Sequence, residues 1–144
     1  MDKVDDFLSG LNKATRDRIT LAKDISIKRL PLASIGLTES LGGGFGFGRQ
    51  SMVWGVKSAG KSALLMQTIA DAQKEGLICA WVDAEASFDP DWAERLGVDN
   101  ERLIVSPVKT TQEMVSVCSD LMKNGIDVIV VDSITALIPL SWFE

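Results

Sequence analysis

One run of eight residues limits this chain more than any other: Gly55-Val56-Lys57-Ser58-Ala59-Gly60-Lys61-Ser62, which joins the apolar Ser51–Trp54 to an amphipathic stretch. It fits G-x-x-x-x-G-K-[ST] without a mismatch. Glycines at both ends let the backbone curl until successive N–H groups point inward, a shape suited to phosphate oxygens. A helix opening where the loop ends adds free amides and its dipole, so the expected phosphate-binding run extends to Ala63. Lys61 would reach the β- and γ-phosphates, and the Ser62 hydroxyl would be a ligand of Mg²⁺. The plainer alternative is a glycine turn that binds nothing. The strand–loop–helix setting favours phosphate binding over it.

Around this motif the hydrophobic pattern is regular. Ser51–Trp54 reads as a short buried strand, and a helix runs from about Lys61 to Lys74, closed by Gly76. Ile78–Val82, Leu103–Val105 and Val128–Val131 read as further apolar strands. Between them lie two helices. One starts at Asp89-Pro90 and ends at Gly97. The other opens with capping-box spacing at Thr110 and Glu113, turns Met114, Val117, Cys118, Leu121 and Met122 to one face, and closes at Asn124-Gly125. Alternating strands and helices, the strands apolar on both faces, imply an α/β fold: a mainly parallel sheet flanked by helices. Ligands of such sheets bind beyond the carboxyl ends of the strands.

The front of the chain is different. Val4, Phe7, Leu8 and Leu11 have helical spacing, a short stripe expected to dock on the body or on a neighbouring subunit. Asp24–Leu32 suggests an extended strand ended by Pro31, and Leu41–Gly48 is too glycine-rich for a regular element. We therefore divide the chain into an N-terminal helical arm, 1–30, and a core, 31–144. The apolar Ile134–Phe143 stops with no partner element after it, so we expect the front portion of a longer protein.

Composition narrows the chemistry. The chain has 144 residues and no histidine, which excludes His triads, imidazole proton shuttles and His-ligated metals. Cys79 and Cys118 lie far apart inside apolar segments, which suits a reduced, cytosolic chain with both thiols in the core. No basic start with an apolar follow-on suggests a secretory signal, and no apolar stretch is long enough for a bilayer. Residues 1–30 carry seven Lys/Arg and five Asp/Glu, whereas the rest carries eight against fifteen. That acidic body argues against binding duplex DNA through a broad basic face.

Three acidic or aromatic positions flank the loop. Asp132 ends the apolar Val128–Val131, so a rigid strand would deliver its carboxylate to the rim where Mg²⁺ is held; the alternative is a cap on the following turn, shared with Ser133. Asp83-Ala84-Glu85 follows another strand to the same rim. In a chain without histidine, Glu85 is a candidate to deprotonate an attacking water, or else part of a solvated acidic loop. Trp92 could lie against adenine and Asp89 accept from its amine; alternatively Trp92 packs on Leu96 and Asp89 is only an N-cap. Trp54 and Trp81 fall within strands and read as core.

The loop, WVDAEASFDPDWAERLGVD and VIVVDSITALIP, in this order and spacing, resemble the RecA recombinase family, bacterial and phage. The likeness runs from about Ile27 to Pro139, and the Val4–Leu11 helix is similar to the family's N-terminal arm. It implies a P-loop NTPase core of RecA type and an ATP-dependent protein that forms filaments on single-stranded DNA and promotes strand exchange. By matching position, Glu85 resembles the catalytic glutamate, with Lys61 beside it in the catalytic set. Trp92 stands where an adenine-stacking tyrosine is found, Asp89 where an adenine-contacting aspartate is found, and Asp132-Ser133 resemble the Walker B aspartate and its following serine. Val56-Lys57 departs from the usual Pro-Glu. The chain stops before the family's DNA-binding loops, its γ-phosphate-sensing glutamine and the lysines donated across the subunit interface. Two alternatives are another RecA-like motor, such as a hexameric helicase or sensor ATPase, and a nucleotide-binding regulatory module without catalysis.

Overall fold

The structure, a computed structural model, describes residues 3–139. In chain order, helices α1 (Lys3–Ser9) and α2 (Lys13–Arg16) and a 3-10 turn at Ala22–Asp24 lead to strand β1 (Arg29–Leu30), helix α3 (Ile35–Ser40) and strand β2 (Phe45–Gly46). The alternating part follows: α4 (Lys61–Lys74), β3 (Cys79–Asp83), α5 (Pro90–Arg95), β4 (Leu103–Pro107), α6 (Thr111–Lys123), β5 (Val128–Asp132) and a last 3-10 turn at Ile134–Ala136. The result is a mixed α/β fold with a three-stranded parallel sheet, ordered β4-β3-β5.

The central strand explains the arrangement. All five residues of β3 are buried, which is why Cys-Ala-Trp-Val can be apolar without alternation. Cys79 and Trp81 face a core built from Met66, Ile69, Ala70 and Ala72 of α4, Ala93 of α5, and Val130 of β5. Trp81 also meets the Phe88 ring, with centroids 5.8 Å apart. Each large side chain buried here contributes roughly 1.5–3 kcal/mol. On the other face Ala80 and Val82 are equally inaccessible. The parallel register places Asp83 opposite both Pro107 and Asp132, so the three carboxyl ends form one level rim.

Helix ends follow local chemistry. Asp89 caps α5 by accepting from the Trp92 N–H at 3.1 Å, and Pro90 fills the first turn, where a missing N–H costs nothing. The Thr110–Glu113 capping box opens α6. The Glu113 carboxylate accepts from the Lys109 and Thr110 amides, which holds its pKa below the usual carboxylate value. A depressed folded pKa means that this cap stabilises the chain above the unfolded carboxyl pKa and is lost as pH falls through the folded one.

Several expectations from the sequence are corrected. Ser51–Trp54 is not a buried strand: no ladder neighbour lies beside it among the described residues, and Trp54 is 86% exposed. An apolar run becomes a strand only where its backbone groups find partners. Only Arg29–Leu30 of the Asp24–Leu32 stretch pairs, because Ala22–Asp24 coils and Pro31 lacks an N–H. Part of the glycine-rich segment is regular after all, since Phe45–Gly46 pairs antiparallel with β1. Gly44 allows this with a φ of 109°; a Cβ there would collide with the Leu30 carbonyl. Helix α3, capped by Ser34, was not expected. On α6, Met114, Val117, Cys118 and Leu121 are half-buried but Met122 is exposed.

The front segment folds on itself. Arg16 donates to the carbonyls of Ser9 and Leu11 at 2.7 and 2.8 Å, drawing α2 back against the end of α1. Helix α1 has no buried residue, with Phe7 67% exposed and Leu8 half-buried. The apolar tail lies partly outside the described residues.

Both cysteines are free, and Cys79 is buried. Burial, reinforced by the negative charge of Asp127 and opposed by Arg102, pushes its thiol up to about 11. The thiolate is the reactive form, so iodoacetamide at pH 8 should label Cys79 far more slowly in the folded chain than in urea, read by intact mass. A raised thiol pKa also means that this site favours folding below the unfolded pKa of about 8.5 and loses that advantage as pH climbs towards the folded value.

Candidate functional site

The site is assembled where α4 begins and where β3 and β5 end. Residues 55–60 form an exposed loop that bends through left-handed backbone at Ser58 (φ 61°) and Gly60 (φ 85°). Gly60 serves as N-cap of α4 and supplies no side-chain hydrogen bond. The first amides of this 14-residue helix therefore have no side-chain cap, and the positive end of the helix dipole lies at the loop. The Lys61 ammonium folds back over the loop, donating to the carbonyls of Gly55 at 3.2 Å and Val56 at 3.0 Å. Val56 and Lys57 are exposed.

At the second residue of the helix, the Ser62 hydroxyl donates to Asp132 Oδ2 at 2.6 Å. This bond spans 70 residues and ties the loop to the end of β5. A second hydroxyl–carboxylate pair lies beside it: Ser133 Oγ donates to Glu85 Oε1 at 2.6 Å and is 2.9 Å from the Thr135 hydroxyl. The main chain joins the two pairs twice. Asp132 and Ser133 are consecutive, and the Ala84 N–H donates to the Asp132 carbonyl at 2.9 Å. Asp132 thus bonds to the start of α4, and Glu85, although exposed, accepts from Ser133.

The structure joins Ser62 to Asp132 and Ser133 to Glu85 at one rim, while the Lys61 ammonium turns to the carbonyls of Gly55 and Val56. It does not extend those hydrogen bonds to Asp89 or Trp92: the Asp89 carboxylate caps α5, and Trp92 is partly exposed on the first turn of that helix. Sequence reasoning missed Thr135 as a member of the cluster, and it set Asp83 on the rim without finding its partners, the Ser87 and Phe88 amides. Asp83 had a signal, since an acid closes an otherwise apolar strand that is fully buried.

The donor set suits a small hard cation. A hydroxyl and a carboxylate meet at Ser62–Asp132, with Glu85 nearby through Ser133. No group of three or more His, Cys, Asp or Glu is placed to hold a metal by itself among the described residues.

A family model described as the RecA N-terminal domain matches residues 11–144, which takes in every residue of this cluster. The chain belongs to the RecA family. Among curated relatives, it is 44% identical to the RecA protein of Mesorhizobium japonicum over 122 residues, 83% of this chain and 33% of that one. Against RecA of Sinorhizobium medicae the identity is 44% over 127 residues, covering 85% and 35%. For RecA of a Chelativorans species it is 42% over 124 residues, covering 85% and 34%. The chain spans about a third of the length of these RecA relatives. No helix among the described residues is long and apolar enough to cross a membrane.

Proposed function

We propose that this chain is the nucleotide-binding front of an ATP-dependent DNA recombinase, with a P-loop core of RecA type over residues 31–144 and an oligomerisation arm over 1–30. The observation that carries this reading is the Ser62–Asp132 hydrogen bond, which sets a helix-start hydroxyl against a strand-end carboxylate beside the glycine-bounded loop 55–60. The amides of Gly55, Val56, Lys57, Ser58, Ala59, Gly60, Lys61, Ser62 and Ala63 would surround the triphosphate. Lys61 would exchange its two carbonyl partners for phosphate oxygens, which are stronger, charge-assisted acceptors. Ser62 and Asp132 would hold Mg²⁺, which supplies charge neutralisation to the phosphates when bound.

Glu85 would take a proton from water as its oxygen attacks the γ-phosphorus and ADP departs. Ser133, now donating to Glu85, would hold that carboxylate in place. Asp89 and Trp92 would contact the adenine, Trp92 with its exposed indole. In this reading the protein works in the cytoplasm of a bacterium or a phage-infected cell. It forms homo-oligomeric filaments and meets single-stranded DNA through segments outside these residues. The acidic body of the chain agrees with that separation.

The test is electron microscopy and ATP turnover of the natural protein that carries this chain, with and without single-stranded DNA. Filaments and DNA-stimulated hydrolysis are expected. Rings would favour a helicase-type motor, and nucleotide binding with neither filaments nor turnover would favour a regulatory module.

A further inference from the structure

Asp83 is 6% exposed, closes the central strand and has no part in the chemistry described above. Both of its carboxylate oxygens are engaged by backbone: Oδ1 accepts from the Ser87 N–H at 3.2 Å and Oδ2 from the Phe88 N–H at 3.1 Å. Its own carbonyl accepts from the Val108 N–H at 3.0 Å. The segment between these bonds is the loop that carries Glu85. That loop passes through a left-handed residue, Ala86 (φ 53°), a conformation that a non-glycine residue holds only when its surroundings enforce it. On the far side Phe88 is anchored against Trp81. The loop is thus pinned by the Ala84–Asp132 bond at its start and by the Asp83 carboxylate at its end.

From this geometry we propose that Asp83 is a positioning residue for hydrolysis: its buried carboxylate gathers the Ser87 and Phe88 amides and so fixes Glu85 over the rim. The proposal rests on the reading of Glu85 as the base. A carboxylate is suited to the task because it offers acceptors on both oxygens; an amide of the same shape must turn a donor towards one of two N–H groups. Small displacements of a reacting group are costly to rate and cheap to binding, so the loss should fall on turnover.

The experiment compares Asp83→Asn, Glu85→Gln and the double variant in the natural protein, measuring ATP turnover, nucleotide affinity and amide exchange. For Asp83→Asn, kcat should fall on the order of 10-fold to 100-fold with KM for ATP within about twofold, and the Ser87 and Phe88 amides should exchange faster while β3 stays protected. Adding Asp83→Asn to Glu85→Gln should produce little further loss, because both act through one group. A parental kcat in Asp83→Asn, or losses that multiply in the double variant, overturns the positioning role while leaving Glu85 as base. Parental turnover in Glu85→Gln removes the base assignment, and the positioning role with it.

Discussion

Replacing Lys61 by alanine is expected to abolish tight ATP binding, raising Kd on the order of 100-fold, ~3 kcal/mol for the loss of charge-assisted contacts to phosphate. The fold should be indifferent to the change. In the structure the ammonium is held only by the carbonyls of Gly55 and Val56 on an exposed loop, where water can replace it. Thermal unfolding should therefore superimpose on that of the parent while the calorimetric titration with Mg²⁺–ATP flattens. Parental affinity in the variant would mean that residues 55–62 are a turn and nothing more.

Glu85→Gln is expected to have the opposite signature. Turnover should drop by roughly 10²–10⁴-fold, the usual worth of a general base, while nucleotide affinity stays within a few-fold. The glutamine retains an oxygen that can accept from Ser133, so the local hydrogen bond can survive and only the proton acceptor is lost. Single-turnover measurement of phosphate release separates chemistry from product release. A variant that hydrolyses as fast as the parent would move the base to another residue.

How far the sequence discloses all this depends on where the determining partners lie. Helix α4 falls on Lys61–Lys74 as its glycine boundaries indicate, and α5 and α6 begin at the caps that Asp89 and Thr110 announce. Those signals are local: a short side chain meets an amide three residues ahead. The 51–54 segment has the composition of a strand but depends on a neighbour, and none of the described strands pairs with it. The β1–β2 ribbon depends on Gly44 passing close to the Leu30 carbonyl, a contact 14 residues away in the chain that no periodicity displays.

The site divides the same way. Asp132 and Glu85 follow from spacing, because the parallel strands β3 and β5 deliver their ends to one rim, whereas Ser62 joins them from the start of α4. The Ser133–Glu85 bond joins residues 48 apart and needed the sheet register to be seen. The partners of Asp83 were hidden for another reason: they are main-chain amides, which every residue carries and no alphabet of side chains distinguishes.

The bond from the Ala84 amide to the Asp132 carbonyl has a wider consequence. It couples the segment that would activate water to the strand end that would hold the cation, so neither can shift alone. A substitution that nudges β5 to alter ion preference would disturb the timing of hydrolysis as well. Natural variation in one trait should drag the other along, and slow forms of such a protein are most simply reached by changing the side chain at position 85 instead of the frame beneath it.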